Sequence, residues 1–214
     1  MPKTAASPAR RKRRGSDEIR ALIVEAAGRE FEENGFSGAT TAAIARRAEV
    51  TEAQIFRFFP SKAALFHAAI FEPLNRHFSE FQSRHLAEVN AAEPVRTLAH
   101  RYIGELQDFM EEHSGMLMSL IVANAYSPGA ARRIGEVEGL RDYFDRGKAM
   151  MEGRSGKDAP VPPELMVRVS FAAVLASVVF RDWLFPAGMA SEDEIRRAIA
   201  EFTIGGIRAN DPAI

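Results

Sequence analysis

Apolar residues recur with a helical period along nearly the whole chain. The first such segment starts after Ser16, a residue able to cap a helix, and stops at Asn34-Gly35. Its apolar positions follow the i, i+3, i+4, i+7 spacing: Ile19, Leu22, Ile23, Ala26, Ala27 and Phe31. No segment alternates apolar and polar residues over four or more positions with β-branched enrichment. The pattern therefore predicts an all-α protein.

Two short helices are predicted next, nearly back to back. Thr40 or Thr41 can open the first helix and Thr51 the second, with only Glu49-Val50 as a turn between them. Two short capped helices joined by a tight turn form a helix-turn-helix, whose second helix can bring its N-terminal residues to base edges in the major groove. Residues 40–62 are therefore a candidate DNA-binding motif.

The remaining pattern predicts a larger helical unit. Ser61 can cap a fourth helix that runs to about residue 90 and bends at Pro73. Later helices are predicted over about 93–112, 114–126, 127–151 and 163–185, and from Ser191 towards the C-terminus, with a Gly- and Pro-rich loop at 153–163. Helix 163–185 is apolar almost all round, and the last helix opens with a capping box. Such helices need a partner surface.

Composition narrows the class of protein. With 214 residues and 46% hydrophobic content, the chain can bury the core of one globular unit or two small ones. It has no cysteine, which excludes disulfides and thiolate metal sites and fits a cytoplasmic protein. The basic start is followed by no apolar segment typical of a secretory signal, and the longest apolar stretch, 169–180, is shorter than the about 20 residues that span a bilayer. No membrane association is expected.

Four ordered segments resemble the TetR family of bacterial transcription regulators. They are Arg20-x-x-Ile23-x-x-Ala26-Ala27, Phe31-x-x-x-Gly35-Phe36, Thr40-Thr41-x-x-Ile44-Ala45-x-x-Ala48-x-Val50-Thr51 and Ile55-Phe56-x-x-Phe59-Pro60-Ser61-Lys62. The resemblance implies a three-helix helix-turn-helix DNA-binding domain at 16–62, preceded by a disordered basic tail at 1–15. A helical ligand-binding and dimerisation domain would follow at 63–214, with helix four, about 61–90, linking the two.

The resemblance also implies a function. It predicts an Ω-shaped homodimer that binds double-stranded operator DNA, most simply as a repressor that a small apolar or amphipathic effector releases. An activator is not excluded by any residue. Such a regulator needs no cofactor and would be cytoplasmic and nucleoid-associated.

The family's DNA contacts map onto two helix starts and the recognition helix. The candidate residues are Thr40, Thr41, Thr51, Glu52, Ala53, Gln54, Phe56, Arg57, Phe58 and Lys62. The tail adds a cluster of basic side chains that could follow phosphates or enter a minor groove: Arg10, Arg11, Lys12, Arg13 and Arg14. Residues 1–14 carry six basic side chains and no acid, whereas residues 15–66 carry six basic and eight acidic ones, so DNA attraction is concentrated in the tail.

Two of these candidates have an alternative reading, and two positions depart from the family. Gln54 could bond a base edge or close a capping box with Thr51. Lys62 lies at a helix start, where a cation is unfavourable unless an anion such as a phosphate is near. Glu49 stands where the family has Gly and would be strained in a left-handed turn. Phe56 stands where the family has Tyr, so it cannot donate a hydroxyl to a phosphate.

Two further sets are predicted in the C-terminal domain. Pliable methionines and apolar neighbours are candidates for the ligand pocket, although plain core packing is the favoured reading of any one of them: Phe109, Met110, Met116, Leu117, Leu120 and Tyr126. Apolar positions of the last two long helices are candidates for a four-helix dimer interface: Phe171, Leu175, Val178, Val179, Trp183, Ile195, Ile199 and Phe202.

Other classes of function find little support in the residues. The five histidines show no metal-ligand spacing, and no phosphate-binding loop, nucleophile elbow or zinc-protease motif is present, so no metal site and no enzyme are expected. The main rival is a helical ligand-binding or scaffold protein whose head no longer reads DNA, an alternative raised by Glu49 and Phe56. A helical enzyme is a more distant rival.

Overall fold

The computed structural model describes residues 15–87, 94–126, 138–152 and 161–208, and these ranges are helical, with no β-strand among them. In chain order the helices are α1 Ser16–Gly38, α2 Thr41–Arg47, α3 Glu52–Phe58, α4 Lys62–Phe66, a π-helical segment His67–Phe71, α5 Glu72–Ala87, α6 Val95–Glu112, α7 Ser114–Tyr126, α8 Glu138–Glu152, α9 Pro163–Val179, α10 Arg181–Leu184 and α11 Glu192–Arg208. The prediction of an all-α fold is confirmed.

Helix α1 begins one residue earlier than its sequence suggests. Gly15 is the cap, and its backbone N–H donates to the Glu18 carboxylate at 3.3 Å, so Ser16 is the first helical residue rather than the cap. At the other end, Gly35 has φ 65° and interrupts the helix where the sequence predicts its stop. This left-handed conformation has no steric cost for glycine.

The linking helix changes character before its proline. The segment His67–Phe71 is π-helical, and the N–H of Glu72 donates to the carbonyl of His67, five residues back. Because Pro73 has no N–H to donate to the carbonyl of Ala69, the α-helical ladder cannot be completed there. The wider π-helical turn lies directly before this proline, and the kink expected at Pro73 stays a prediction.

One of the C-terminal helices ends earlier than predicted. The predicted helix 163–185 breaks at Phe180, so that α9 and the single turn α10 are separate elements. The capping box of α11 is present: the N–H of Ser191 donates to the Glu194 carboxylate at 2.8 Å, and the N–H of Glu194 donates to the Ser191 hydroxyl at 3.4 Å. The N-terminal part of the helix predicted at 127–151 and most of the 153–163 loop lie outside the described residues.

Two buried apolar clusters organise these helices. The head core is formed by α1 to α4 and the π segment, and its largest members are Ile23, Phe31, Ile44, Ile55, Leu65 and Phe66. The body core is formed by α5 to α9 and α11, around Phe78, Phe81, Leu106, Phe109, Met110 and Val174. Met116 and Leu120 of α7 pack against both clusters. The head is therefore joined to the body by continuous apolar packing.

One buried hydrogen bond reinforces this junction. The hydroxyl of Ser119 on α7 donates to the backbone carbonyl of Phe31 on α1 at 2.8 Å. Ser119 is 2% exposed, so its hydroxyl is satisfied by the head rather than by water. Helix α7 thus fixes the position of α1 by both apolar packing and a polar contact.

No helix within the described ranges has both the length and the apolar character needed to cross a membrane.

Candidate nucleic-acid interface

The turn between α2 and α3 closes in a Schellman arrangement. The N–H of Val50 donates to the carbonyl of Ala45 at 3.0 Å, and the N–H of Glu49 donates to that of Arg46 at 3.3 Å. Glu49 takes the left-handed conformation, with φ 54°, which sequence analysis identifies as the strained possibility. The turn therefore keeps the geometry for which glycine is suited, although a glutamate occupies it.

Local caps set the starts of α2 and α3. The hydroxyl of Thr40 accepts from the N–H of Ala43 at 3.1 Å, which makes Thr40 rather than Thr41 the cap of α2. The hydroxyl of Thr51 accepts from the N–H of Gln54 at 3.2 Å, and the Gln54 side-chain oxygen accepts from the N–H of Thr51 at 2.9 Å. The capping-box alternative for Gln54 is thus present, and its amide oxygen is engaged before any DNA arrives.

Helix α3 is divided into a buried and an exposed side. Ile55 is 1% exposed and locks the helix onto the head core, while Phe58 is half-buried against that core. Phe56 is 49% exposed, and Arg57 is exposed with its guanidinium 5.5 Å from the centre of the Phe58 ring. An apolar ring and a cation therefore lie on the outer surface of a short, rigidly held helix.

A side-chain contact ties the starts of the two helices together. The hydroxyl of Thr41 donates to the carboxylate of Glu52 in a short hydrogen bond. This contact fixes the angle between α2 and α3, and both groups would have to leave it in order to bond DNA.

Lys62 finds its partners inside the head. Its ammonium lies 4.9 Å from the centre of the Phe36 ring and 3.5 Å from the backbone carbonyl of Ser37, near the C-terminal end of α1. Partial burial lowers the pKa of Lys62 from its usual value. The cation at this helix start is thus accommodated by a ring face and a carbonyl, and contact with a phosphate stays a prediction.

Arg47 is paired with acidic residues of the head. Arg47 forms a two-pronged pair with Glu33, and its guanidinium also lies 3.4 Å from Glu30. The hydrogen bond from Arg47 holds the pKa of Glu33 below its usual range. Arg57, by contrast, makes no ion pair with any described residue and is available for an anion.

Some predicted sites lie beyond what the structure describes. The five basic tail residues 10–14 are all outside the described ranges. Within those ranges, no group of three or more His, Asp or Glu side chains is arranged to hold a metal ion.

Five of the six predicted ligand-pocket residues belong to the body core or pack against it. Phe109, Met110 and Leu117 are buried in the body core, and Met116 and Leu120 are half-buried at the junction with the head. Tyr126 is 80% exposed at the end of α7, in contrast to the other five residues, and its part in a pocket stays a prediction.

The predicted interface residues separate in the same way. Phe171, Ile195 and Ile199 are at most 8% exposed because they pack in the body core, and their place in a dimer interface stays a prediction. Leu175, Val178 and Val179 are half-buried. Trp183 and Phe202 are 84% and 74% exposed. Four further large apolar residues that the sequence analysis did not single out are also exposed, on α9, at its end and on α10: Leu165, Val169, Phe180 and Leu184.

Comparisons with known proteins match the head to a family model and most of the chain to solved structures. Residues 23–69 match the family model described as bacterial regulatory proteins, tetR family. A search of curated proteins found no match. Among solved structures, a TetR-like transcriptional regulator from Rhodococcus sp. RHA1 is 18% identical, with a TM-score of 0.63 over 91% of this chain and 98% of that one.

Two similar structures contain ligands. FadR from Bacillus subtilis in complex with stearoyl-CoA is 14% identical, with a TM-score of 0.66 over 87% of this chain and 98% of that one. AibR in complex with isovaleryl coenzyme A and operator DNA is 18% identical, with a TM-score of 0.61 over 86% of this chain and 96% of that one. At these identities the likeness establishes the fold.

Proposed function

We propose that the chain is a TetR-family transcription regulator and that its dimer represses transcription by inserting one α3 into each of two successive major grooves of an operator. The observation that carries this proposal is the outer side of α3. There Phe56 and the unpaired Arg57 are presented to solvent by a helix whose start is capped and whose inner side is locked by Ile55. A recognition helix that binds in a major groove must be rigidly held and must expose side chains able to contact bases or phosphates.

We assign the individual contacts by chemistry. Arg57 can bond a guanine or a phosphate, and Phe56 can pack on a thymine methyl group. The starts of α2 and α3, at Thr40 and Thr51, can hold phosphates through backbone N–H groups. Lys62 and the basic tail at 10–14 complete the phosphate contacts.

The proposed effector is an amphipathic acyl-CoA bound within the body. Two regulators with this fold have crystal structures in complex with an acyl-CoA. Acyl-CoA esters are therefore the first class of effector to test. Such a ligand releases DNA only if it binds the spacing of heads that is incompatible with DNA more tightly than the compatible one. The Ser119–Phe31 hydrogen bond and the shared packing of Met116 and Leu120 provide the mechanical link.

Selection of bound fragments from genomic DNA by the full-length protein tests the DNA-binding proposal. We expect a two-fold symmetric site whose binding is lost in Arg57→Glu. Arg146→Glu, an equal charge reversal at an exposed position on α8, is the matched control and should bind the selected site like the parent. Salt-dependent binding without an enriched sequence would refute specific regulation and favour the scaffold alternative.

Lys62→Gln distinguishes a phosphate contact from an internal role. If Lys62 binds a phosphate, the slope of log affinity against log salt decreases by about 1 per protomer, with little change in sequence preference. An unchanged slope together with a lower melting temperature would mean that the lysine serves only the Phe36 and Ser37 contacts.

Addition of stearoyl-CoA or isovaleryl-CoA to the protein bound to its selected site tests the effector. We expect at least one of them to release the DNA at concentrations that leave an unrelated complex intact. DNA binding that neither compound affects would refute this effector class while leaving the DNA-binding proposal standing.

A further inference from the structure

The described part of the head carries six Lys or Arg side chains, of which half are engaged by groups of the head itself. The engaged cations are held by carboxylates or by a ring and a carbonyl: Arg29, Arg47 and Lys62. None of the other three forms an ion pair with a residue that the structure describes: Arg20, Arg46 and Arg57. A cation that the fold leaves without a counterion is available for an external anion such as a phosphate.

Two of these arginines lie over aromatic rings at the end of α3. The guanidinium of Arg57 is 5.5 Å from the centre of the Phe58 ring, and that of Arg20, on α1, is 5.4 Å from the centre of the Phe59 ring. The two rings belong to consecutive residues, and both arginines are exposed. The fold thus places two exposed cations from different helices at one end of the recognition helix.

The ring beneath Arg20 is fixed in the head core. Phe59 is 5% exposed, and its N–H donates to the carbonyl of Ile55 at 2.9 Å. On α1, Ile23 lies one turn after Arg20 and is fully buried in the same core. A cation–π contact uses none of the five N–H donors of arginine in a hydrogen bond, and no described residue accepts one from Arg20. Arg20 is therefore held in place with its donors free.

The length of α3 brings this end close to phosphates when the other end contacts bases. Helix α3 has seven residues, so it is about 10 Å long. The major groove is about 12 Å wide and is bordered on both sides by the sugar-phosphate backbone. A recognition helix whose N-terminal residues contact base edges therefore has its C-terminal end near the rim of the groove. The anions at that rim are phosphates.

We infer that Arg20, positioned by the Phe59 ring, binds a phosphate of the DNA backbone at the rim of the groove that α3 enters. This inference rests on the proposed function and adds a contact from α1, outside the helix-turn-helix. Phosphate contacts fix the orientation of a protein on the duplex and carry no base identity. Arg20 thus strengthens binding to every sequence, whereas the exposed side chains of α3 select the operator.

Salt titrations of DNA binding by the full-length protein test this inference, on the selected operator and on an unrelated duplex. Arg20→Gln should reduce the slope of log affinity against log salt by about 1 per protomer on both duplexes. The ratio of the two affinities should stay that of the parent, because a phosphate contact carries no base identity. Arg20→Lys keeps the charge and should keep the parental slope.

Arg29→Gln is the matched control for net charge. It removes the same charge from an exposed position on the same helix, where the arginine is already paired with Glu25 at 2.8 Å. The control should therefore keep the parental slope. Equal losses of slope in Arg20→Gln and Arg29→Gln would overturn the inference, since net charge alone would then explain both.

An unchanged slope in Arg20→Gln also overturns the inference, and a lower melting temperature beside it would show that the arginine serves only its contact with Phe59. A protein that selects no operator refutes the proposed function, yet its slope on the unrelated duplex still decides for or against Arg20. Absence of binding to either duplex refutes both proposals.

Discussion

Replacing Glu49 by glycine should stabilise the protein by relieving the strained turn between α2 and α3. Glu49 has φ 54°, a conformation that its Cβ disfavours, and the Schellman hydrogen bonds on either side prevent it from relaxing. The left-handed conformation costs a non-glycine residue about 1 kcal/mol or more, whereas glycine gives back part of that gain through its freer unfolded chain. The net stabilisation should be roughly 0.5–1 kcal/mol.

Thermal unfolding followed by circular dichroism measures this gain. For a domain of this size, a change of 1 kcal/mol shifts the melting temperature by about 2–4 °C, so Glu49→Gly should melt about 1–4 °C higher. Glu49→Ala is the matched control, because it removes the same carboxylate and its contacts but keeps the Cβ. Alanine should therefore show no comparable gain, and equal shifts for alanine and glycine would refute the strain argument.

Three other substitutions test the packing, the titration and the outer face of the body. Gly139→Ala would place a Cβ 2.7 Å from a backbone carbonyl of α5 and should cost about 1–3 kcal/mol in chemical denaturation, while Gly104→Ala, with open space around its Cβ, should be neutral or stabilising. Burial and the neighbouring His77 lower the pKa of His113 from its usual 6.5, so the folded state favours the neutral imidazole. The stability that this provides is fully present above the pKa of the histidine in the unfolded chain, and it is lost as the pH falls through the lower pKa of the folded protein. His113→Gln should therefore reduce the fall in melting temperature between about pH 7 and pH 5, and an unchanged profile would exclude this histidine as a cause. Trp183→Glu should dissociate the proposed dimer in light scattering at micromolar concentration, and an unchanged mass would place the interface elsewhere.

The sequence was most informative where structure is determined locally. Thr40, Thr51 and Ser191 each satisfy N–H groups within three residues, so their caps can be identified without knowledge of the rest of the fold. The stop at Gly35 and the left-handed Glu49 follow from short-range sterics in the same way. These local signals also define the helix-turn-helix, which is why the candidate DNA interface could be found from sequence.

The sequence was least informative where several faces of a helix are apolar. Helix α9 is apolar almost all round, so its periodicity could not show that Phe171 packs inward while Val169 remains exposed. The partners of Lys62 come from the end of α1, 25 residues away in sequence, and no local pattern reports them. The rings of Phe78, Phe109, Tyr143 and Phe171 come from four helices, and only the packing of those helices brings them into contact.

The sharing of Met116 and Leu120 between the two cores limits how far the head and the body of this protein can be exchanged independently. A chimera that exchanges only residues 16–62 with a protein of the same fold would set a foreign α1 against a native α7 and would lose the complementary surface for both side chains. The acceptor of Ser119 is a backbone carbonyl, so this hydrogen bond would survive only where the foreign α1 keeps the same position against α7. An exchange at residue 62 would leave the head without a fixed orientation on the body, even when each part folds. A portable DNA-reading unit from this protein would have to include α7, although that helix begins more than fifty residues after α3 ends.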